Sequence, residues 1–153
     1  MPPRRLVLDT NCFIEASKSA AANAAFDAFC AQAAPRLHLC SVVAAELRAG
    51  AVNLSQLKQL EEDVLEPYVR RKRVVTPSGG AWEALGTTLA TLAREDGLQL
   101  KTTRRSFIFD ILIAYSCREI GAVFVSANAR DLSRIARVFA FDFVAPFPDL
   151  STL

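Results

Sequence analysis

The stretch Leu6-Val7-Leu8-Asp9-Thr10-Asn11 sets the reading of everything that follows it. Three apolar residues in a row, with no polar alternation, fit a short strand covered on both faces rather than one with a wet side. The run ends on a carboxylate, and Thr10-Asn11 then reads as a polar loop. The same grammar recurs along the chain. Leu37-His38-Leu39-Cys40, Arg73-Val74-Val75-Thr76 and Phe141 to Val144 read as brief strands, and Ala122-Val123-Phe124-Val125-Ser126 is the clearest buried one.

Helical text separates these strands. An Ala-rich segment runs from about Ser19 to Ala33 and is ended by Pro35. Ser41 is placed to cap a helix that carries Val42, Val43 and Leu47 and stops at Gly50. Amphipathic text covers Leu54 to about Val69, and a further helix runs from about Gly80 to Glu95. Ser106 is placed to cap a helix reaching Ile120 and stopped at Gly121, and a short helix spans Asp131 to Val138. Strands alternating with helices predict an α/β fold with a parallel sheet covered on both faces. In such folds ligands collect outside the carboxyl ends of the strands. Asp9 lies at one such end, and Ser126, Asn128 and Asp131 lie just beyond another.

Composition narrows the function classes. The chain has 153 residues, 52% hydrophobic and 22% charged, which suits one globular domain. A net charge of +2 and a pI near 8.4 do not by themselves announce nucleic-acid binding. No segment approaches the roughly 20 apolar residues of a membrane span. The basic start, Met1 to Arg5, is followed by too few apolar residues for a secretory leader, so a cytoplasmic location is expected. Cys12, Cys30, Cys40 and Cys117 are scattered, with no CxxC pair, and are expected as buried free thiols. The only histidine, His38, sits between two leucines and is expected to be a partly buried structural group. Hydrolase schemes built on a histidine base would have to rest on it alone.

Most acidic residues, such as Glu61, Glu62, Asp63, Glu66, Glu95 and Asp96, lie in polar helical text. Asp9, Glu46 and Asp110 do not. Asp9 follows Leu-Val-Leu, Glu46 sits in Val-Val-Ala-Ala-Glu-Leu, and Asp110 interrupts Phe107-Ile108-Phe109-Asp110-Ile111-Leu112-Ile113. An unpaired buried carboxylate costs several kcal/mol, so each needs a cation, hydrogen bonds or a proton. The helix dipole near Glu46 and Asp110 offers only about 0.3–1 kcal/mol. Two explanations stand side by side at this point: caps and ion pairs, or a shared divalent cation. Oxygen ligands without histidine or cysteine would suit Mg²⁺ or Mn²⁺ rather than zinc.

Four blocks carry a resemblance: Leu8-Asp9-Thr10-Asn11, Ser41 to Leu47, Phe109 to Ala114, and Val125-Ser126-Ala127-Asn128-Ala129-Arg130-Asp131-Leu132. Their order and spacing resemble a PIN domain, and within that family the VapC-type toxins of bacterial toxin–antitoxin pairs. The resemblance implies a three-layer α/β/α fold with a central, mainly parallel sheet of four to five short strands. It implies a single domain over residues 1–147 with a short tail at 148–153. It implies an endoribonuclease that uses one or two Mg²⁺ or Mn²⁺ ions and leaves a 5′-phosphate and a 3′-hydroxyl.

Carried over residue by residue, the resemblance makes Asp9, Glu46 and Asp110 the metal ligands. Asn128 matches the fourth site position, where the family has Asp or Asn, and Asp131 follows closely enough to compete for the role. Thr10, Asn11 and Ser126 become supporting residues, although turn formation and strand-end capping explain them equally. Arg48, Arg104, Arg105 and Arg130 are candidate RNA contacts, as are the clusters Arg70 to Arg73 and Lys101 to Arg105; solvated surface explains them as well. Core packing is the expected role of Trp82 and Tyr115. The partners implied are an RNA substrate, a cognate antitoxin and a second copy of the chain, with no membrane. The apolar residues around Leu54–Leu65 would serve an interface or the core.

Three rivals remain: a PIN nuclease of RNA processing, a PIN-like binding module without catalysis, and an aspartyl-phosphate protein. The last is disfavoured, because the phosphatase signature wants an aspartate where Asn11 stands, and a receiver wants an acidic pair after the first strand.

Overall fold

The computed structural model describes residues 2–153. Five short strands form the middle layer: β1 (Leu6–Leu8), β2 (Leu37–Cys40), β3 (Val74–Val75), β4 (Val123–Val125) and β5 (Asp142–Val144). They lie in the order β3-β2-β1-β4-β5, and every neighbouring pair is parallel. The α/β expectation and the five-stranded parallel sheet agree. The uniformly apolar text of β1 and β4 has a simple cause. Both strands are central and buried on two faces, so both alternating sets of side chains need apolar partners.

Register divides those partners cleanly. Val7 lies opposite Phe124 in the β1–β4 pairing, and both belong to the larger core. Leu6 and Leu8 pair with Val123 and Val125, and these four join the smaller core on the opposite face. The smaller core is closed by α1 (Thr10–Ala16) and α2 (Ala20–Ala33) through Cys12, Phe29 and Ala33. The larger is closed by α3 (Ser41–Ala49), α6 (Gly79–Glu95), α7 (Arg105–Ile120) and α8 (Ala129–Ala136). Helix α7 is the central one, burying Phe107, Ile111, Leu112, Ile113, Ala114 and Cys117. It ends at Gly121, whose left-handed φ of 68° closes the helix and turns the chain into β4.

Between α3 and β3, helix α4 (Leu54–Leu60) runs through a single π-turn at Glu61–Leu65 into α5 (Glu66–Arg70). Of its apolar residues, Leu65 is core whereas Leu54 is 84% exposed. The last residues are not loose: Arg36 donates from its guanidinium to the carbonyls of Leu150 and Leu153, at 3.1 and 3.0 Å. Among the described residues no helix is long and apolar enough to cross a membrane.

Several local expectations shift. Thr10 and Asn11 are not a loop; they open α1, because the Asp9 side chain caps that helix directly from the strand end. Ser41 and Ser106 are not caps either. Each lies inside its helix, and Cys40 and Arg104 stand at the cap positions without side-chain capping bonds. Helix α8 starts at Ala129, two residues before Asp131. Trp82 is not core: the buried stripe of α6 is Ala81, Leu85, Thr88 and Leu92, and Trp82 falls beside that stripe at 58% exposure. Tyr115 does pack against the larger core. All four cysteines are free thiols, with Cys30 half-buried and the rest buried. His38 is half-buried, its Nδ1 at 3.2 Å from the Arg36 carbonyl, and burial lowers its pKa.

Candidate active site

The chain leaves β1 on one side to build β2 and β3, and returns on the other to build β4 and β5. The carboxyl ends of β1 and β4 therefore flank the point where strand order reverses, the usual place for a ligand in an open α/β sheet. Asp9 stands at the first of these ends and Ser126 at the second. A cavity of about 420 Å³ opens there, lined by Asp9, Glu46, Asp110, Asn128 and Arg104 among others. Asp9 comes from the β1 end, Glu46 from α3 and Asp110 from α7, so three separate elements bring three carboxylates to one space.

Asp9 is buried and held on both oxygens. Oδ1 accepts from the Thr10 backbone N–H at 2.7 Å. Oδ2 accepts from Ser126 Oγ at 2.6 Å and Asn11 Nδ2 at 2.8 Å. Ser126 Oγ also accepts from the Asn128 N–H and from Asn11 Nδ2, both at 3.1 Å, which ties the ends of β1 and β4 into one network. Glu46 is half-buried, and its Oε1 accepts from Thr10 Oγ1 at 2.9 Å. Asp110 is buried, and its Oδ2 accepts from Asn128 Nδ2 at 2.8 Å. The same Asn128 amide donates to Asp131 Oδ2 at 3.0 Å, and Arg104 donates to that oxygen at 2.8 Å.

Electrostatics single the cluster out. Burial pushes Asp110 up to about 8, helped by the charges of Asp9, Asp131 and Glu46, and only partly opposed by the Asn128 hydrogen bond. Asp9 is raised by burial despite three hydrogen bonds that work the other way. Glu46 is raised by burial and by Asp9, against Thr10 and Arg105. Burial is the first cause at all three carboxylates, mutual repulsion adds to it at Glu46 and Asp110, and Arg105 offsets it only in part at Glu46. Carboxylates perturbed in this way gather at functional sites.

The donor set is oxygen only, which fits a hard divalent cation. Among the described residues, however, no three histidine, cysteine, aspartate or glutamate side chains stand together as ligands of one ion. Each of the three carboxylates is instead held by its own hydrogen-bond partners. One oxygen each of Glu46 and Asp110 has no hydrogen-bond partner among the described residues. These residues fit a hard divalent cation in donor chemistry, and they line one cavity.

The remaining candidates divide. Thr10, Asn11 and Ser126 hold the carboxylates. Asn128 lines the cavity, whereas Asp131 lies in the neighbouring cleft, neutralised by Arg104. Arg104 lines the cavity and Arg130 the cleft beside it. Arg48 is engaged by both oxygens of Glu61, and Arg105 lies over the Phe109 ring; neither lines the cavity. Ser106 does line it, a residue the sequence presented only as a cap. Its signal was helical spacing, since four residues before Asp110 on one helix is the same face.

The family model of the PIN domain matches residues 6–138, most of the chain. The protein belongs to the PIN-domain family. Solved structures share this PIN fold over nearly their whole length. Chains of DNA-bound VapBC from Salmonella typhimurium are 23% identical at a TM-score of 0.66, covering 93% of this chain and 98% of theirs. FitAcB from Neisseria gonorrhoeae gives 15% and 0.67, with coverages of 97% and 99%. VapBC2 from Rickettsia felis, bound to a DNA fragment from its promoter, gives 20% and 0.60, with 92% and 97%. At these identities the likeness concerns the fold. No curated protein sequence matches.

Proposed function

We propose that this PIN domain is a metal-dependent endoribonuclease and the toxin of a toxin–antitoxin pair. The observation that carries the reading is the convergence of Asp9, Glu46 and Asp110 on one cavity, with all three carboxylates raised. PIN domains are generally nucleases that use divalent ions, and the neighbouring folds belong to VapBC and FitAcB complexes, which supports an antitoxin as partner. A second copy of the chain belongs to the same reading, and light scattering of the purified protein tests it.

Asp9, Glu46 and Asp110 would hold Mg²⁺ or Mn²⁺. Such an ion, when bound, polarises a phosphate oxygen and lowers the pKa of a coordinated water, so no histidine base is required. The protein's own part is positioning. Thr10, Asn11 and Ser126 fix both oxygens of Asp9, Thr10 fixes Glu46, and Asn128 aims Asp110. This favours Asn128 over Asp131 as the fourth site residue, acting through its amide on Asp110. Arg104, 70% exposed at the cavity edge, is placed to meet a phosphate that three carboxylates alone would repel.

The test is cleavage of a labelled tRNA or total-RNA pool with Mg²⁺, Mn²⁺ or EDTA, beside Asp110→Asn. Cleavage that needs metal and is lost in the variant supports the enzyme. Equal cleavage by both proteins means a contaminating nuclease. Mn²⁺ binding without cleavage of any pool overturns the reading in favour of a binding module.

A further inference from the structure

Next to the carboxylate cavity lies a second cleft of about 830 Å³, between α8 and the chain around Asp96. Four guanidinium groups, Arg104, Arg130, Arg134 and Arg137, line it against two carboxylates, Asp96 and Asp131. Four cations against two anions leave the cleft with a local excess of positive charge. Arg104 and Asn128 line both spaces, so the cleft continues directly from the site.

The four arginines are not equivalent. Arg134 is built in: it pairs with Asp96 at 2.8 Å and lies over the Phe107 ring, 5.3 Å from its centroid. Arg104 pairs with Asp131 at 2.8 Å while staying 70% exposed. Arg137 reaches Asp96 only at 3.9 Å and is 68% exposed. Arg130 is exposed and has no ion pair among the described residues. Arg130 and Arg134 on α8 and Arg137 at its C-cap, still in helical conformation, follow helical spacing, so they form a row about 10 Å long on one face. A row of cations leading out of a site that would hold one phosphodiester suits an extended polyanion better than a single acidic group.

We propose that this cleft carries the phosphodiester backbone of the RNA flanking the cleaved bond. Arg104 stands at the junction, and Arg130 at the start of α8 and Arg137 at its C-cap act as backbone contacts. The proposal rests on the nuclease reading above and adds the direction in which substrate leaves the site.

The test compares full-length wild type with Arg130→Ala/Arg137→Ala and with a charge-matched control, Lys18→Ala/Lys58→Ala, after circular dichroism confirms folding. Binding of a fluorescein-labelled 16-nucleotide RNA is followed by anisotropy in EDTA over a range of NaCl, and metal-dependent cleavage of a long RNA is followed separately. The arginine variant is expected to bind about tenfold more weakly, with a log–log salt slope shallower by about 1.4, because each lost single-strand phosphate contact is worth about 0.7. Its KM is expected to rise about tenfold with kcat unchanged. Equal losses in the lysine control, unchanged binding, or weakened binding of polyglutamate with RNA binding intact would each overturn it. If wild type cleaves RNA and the arginine variant binds and cleaves like it, the track fails and the nuclease stands. If no protein cleaves but the variant loses RNA binding with the expected slope, the nuclease reading fails and the cleft stands only as an RNA-binding surface.

Discussion

At the scale of single residues, Asp110 and Ser126 carry the sharpest consequences. Burial pushes Asp110 up to about 8 in the folded chain, well above the ordinary aspartate value of 3.8. Between those values the folded chain holds a proton that the unfolded chain has released. The folded state is therefore favoured at low pH and loses stability as pH rises toward 8. Asp9 and Glu46 are raised in the same direction and add to the same slope. In EDTA, the thermal midpoint of wild type should fall between pH 5 and pH 8, and Asp110→Asn should flatten that fall while abolishing metal-dependent cleavage. An unchanged pH profile would contradict the electrostatic picture. Ser126 joins Asp9, Asn11 and Asn128 through one oxygen. Ser126→Ala leaves buried partners unsatisfied and should cost about 1–3 kcal/mol in urea unfolding. RNA cleavage should drop about 10–100-fold, the usual effect of losing a group that orients a metal ligand.

At the scale of elements, Gly121 tests whether α7 ends as described. A Cβ at Gly121 would meet open space, so the strain of a positive φ acts alone. Gly121→Ala should cost about 1–2 kcal/mol in urea midpoint without touching Mn²⁺ binding. This glycine was legible in the sequence, as were the central strands, because an all-apolar run and a terminal glycine each have one cheap structural solution. Starts were less legible. Thr10-Asn11 reads as a turn by residue type, yet Asp9 caps its own next N–H and α1 begins at once. Ser41 and Ser106 resemble caps by residue type, but the helices begin at or before them without that bond. Asp9, Glu46 and Asp110 were visible as carboxylates in apolar text. Their supports were not visible as contacts, since Ser126 reaches Asp9 across 117 positions and Asn128 reaches Asp110 across 18. Of the arginines on the α8 side, the sequence marks only Arg130, by its place in a motif; that Arg134 and Arg137 line the same cleft depends on tertiary packing.

At the scale of the whole molecule, sheet order explains why the site exists. Placing β1 between β2 and β4 puts Asp9 beside Ser126, while α3 and α7 bring Glu46 and Asp110 from the larger core side. The arrangement stores repulsion in the folded state, and a bound cation relieves it. Mn²⁺ should therefore raise the thermal midpoint of wild type at pH 8, by the equivalent of about 2.7 kcal/mol at a hundredfold excess over Kd. Asp110→Asn should respond less. The most direct test of the account is Mn²⁺ binding itself, followed by electron paramagnetic resonance of the free ion during titration with wild type, Asp9→Asn, Glu46→Gln and Asp110→Asn. Wild type is expected to bind, and each substitution to weaken binding at least about tenfold in a folded protein. No binding by wild type, or equal binding by all four proteins, would contradict it.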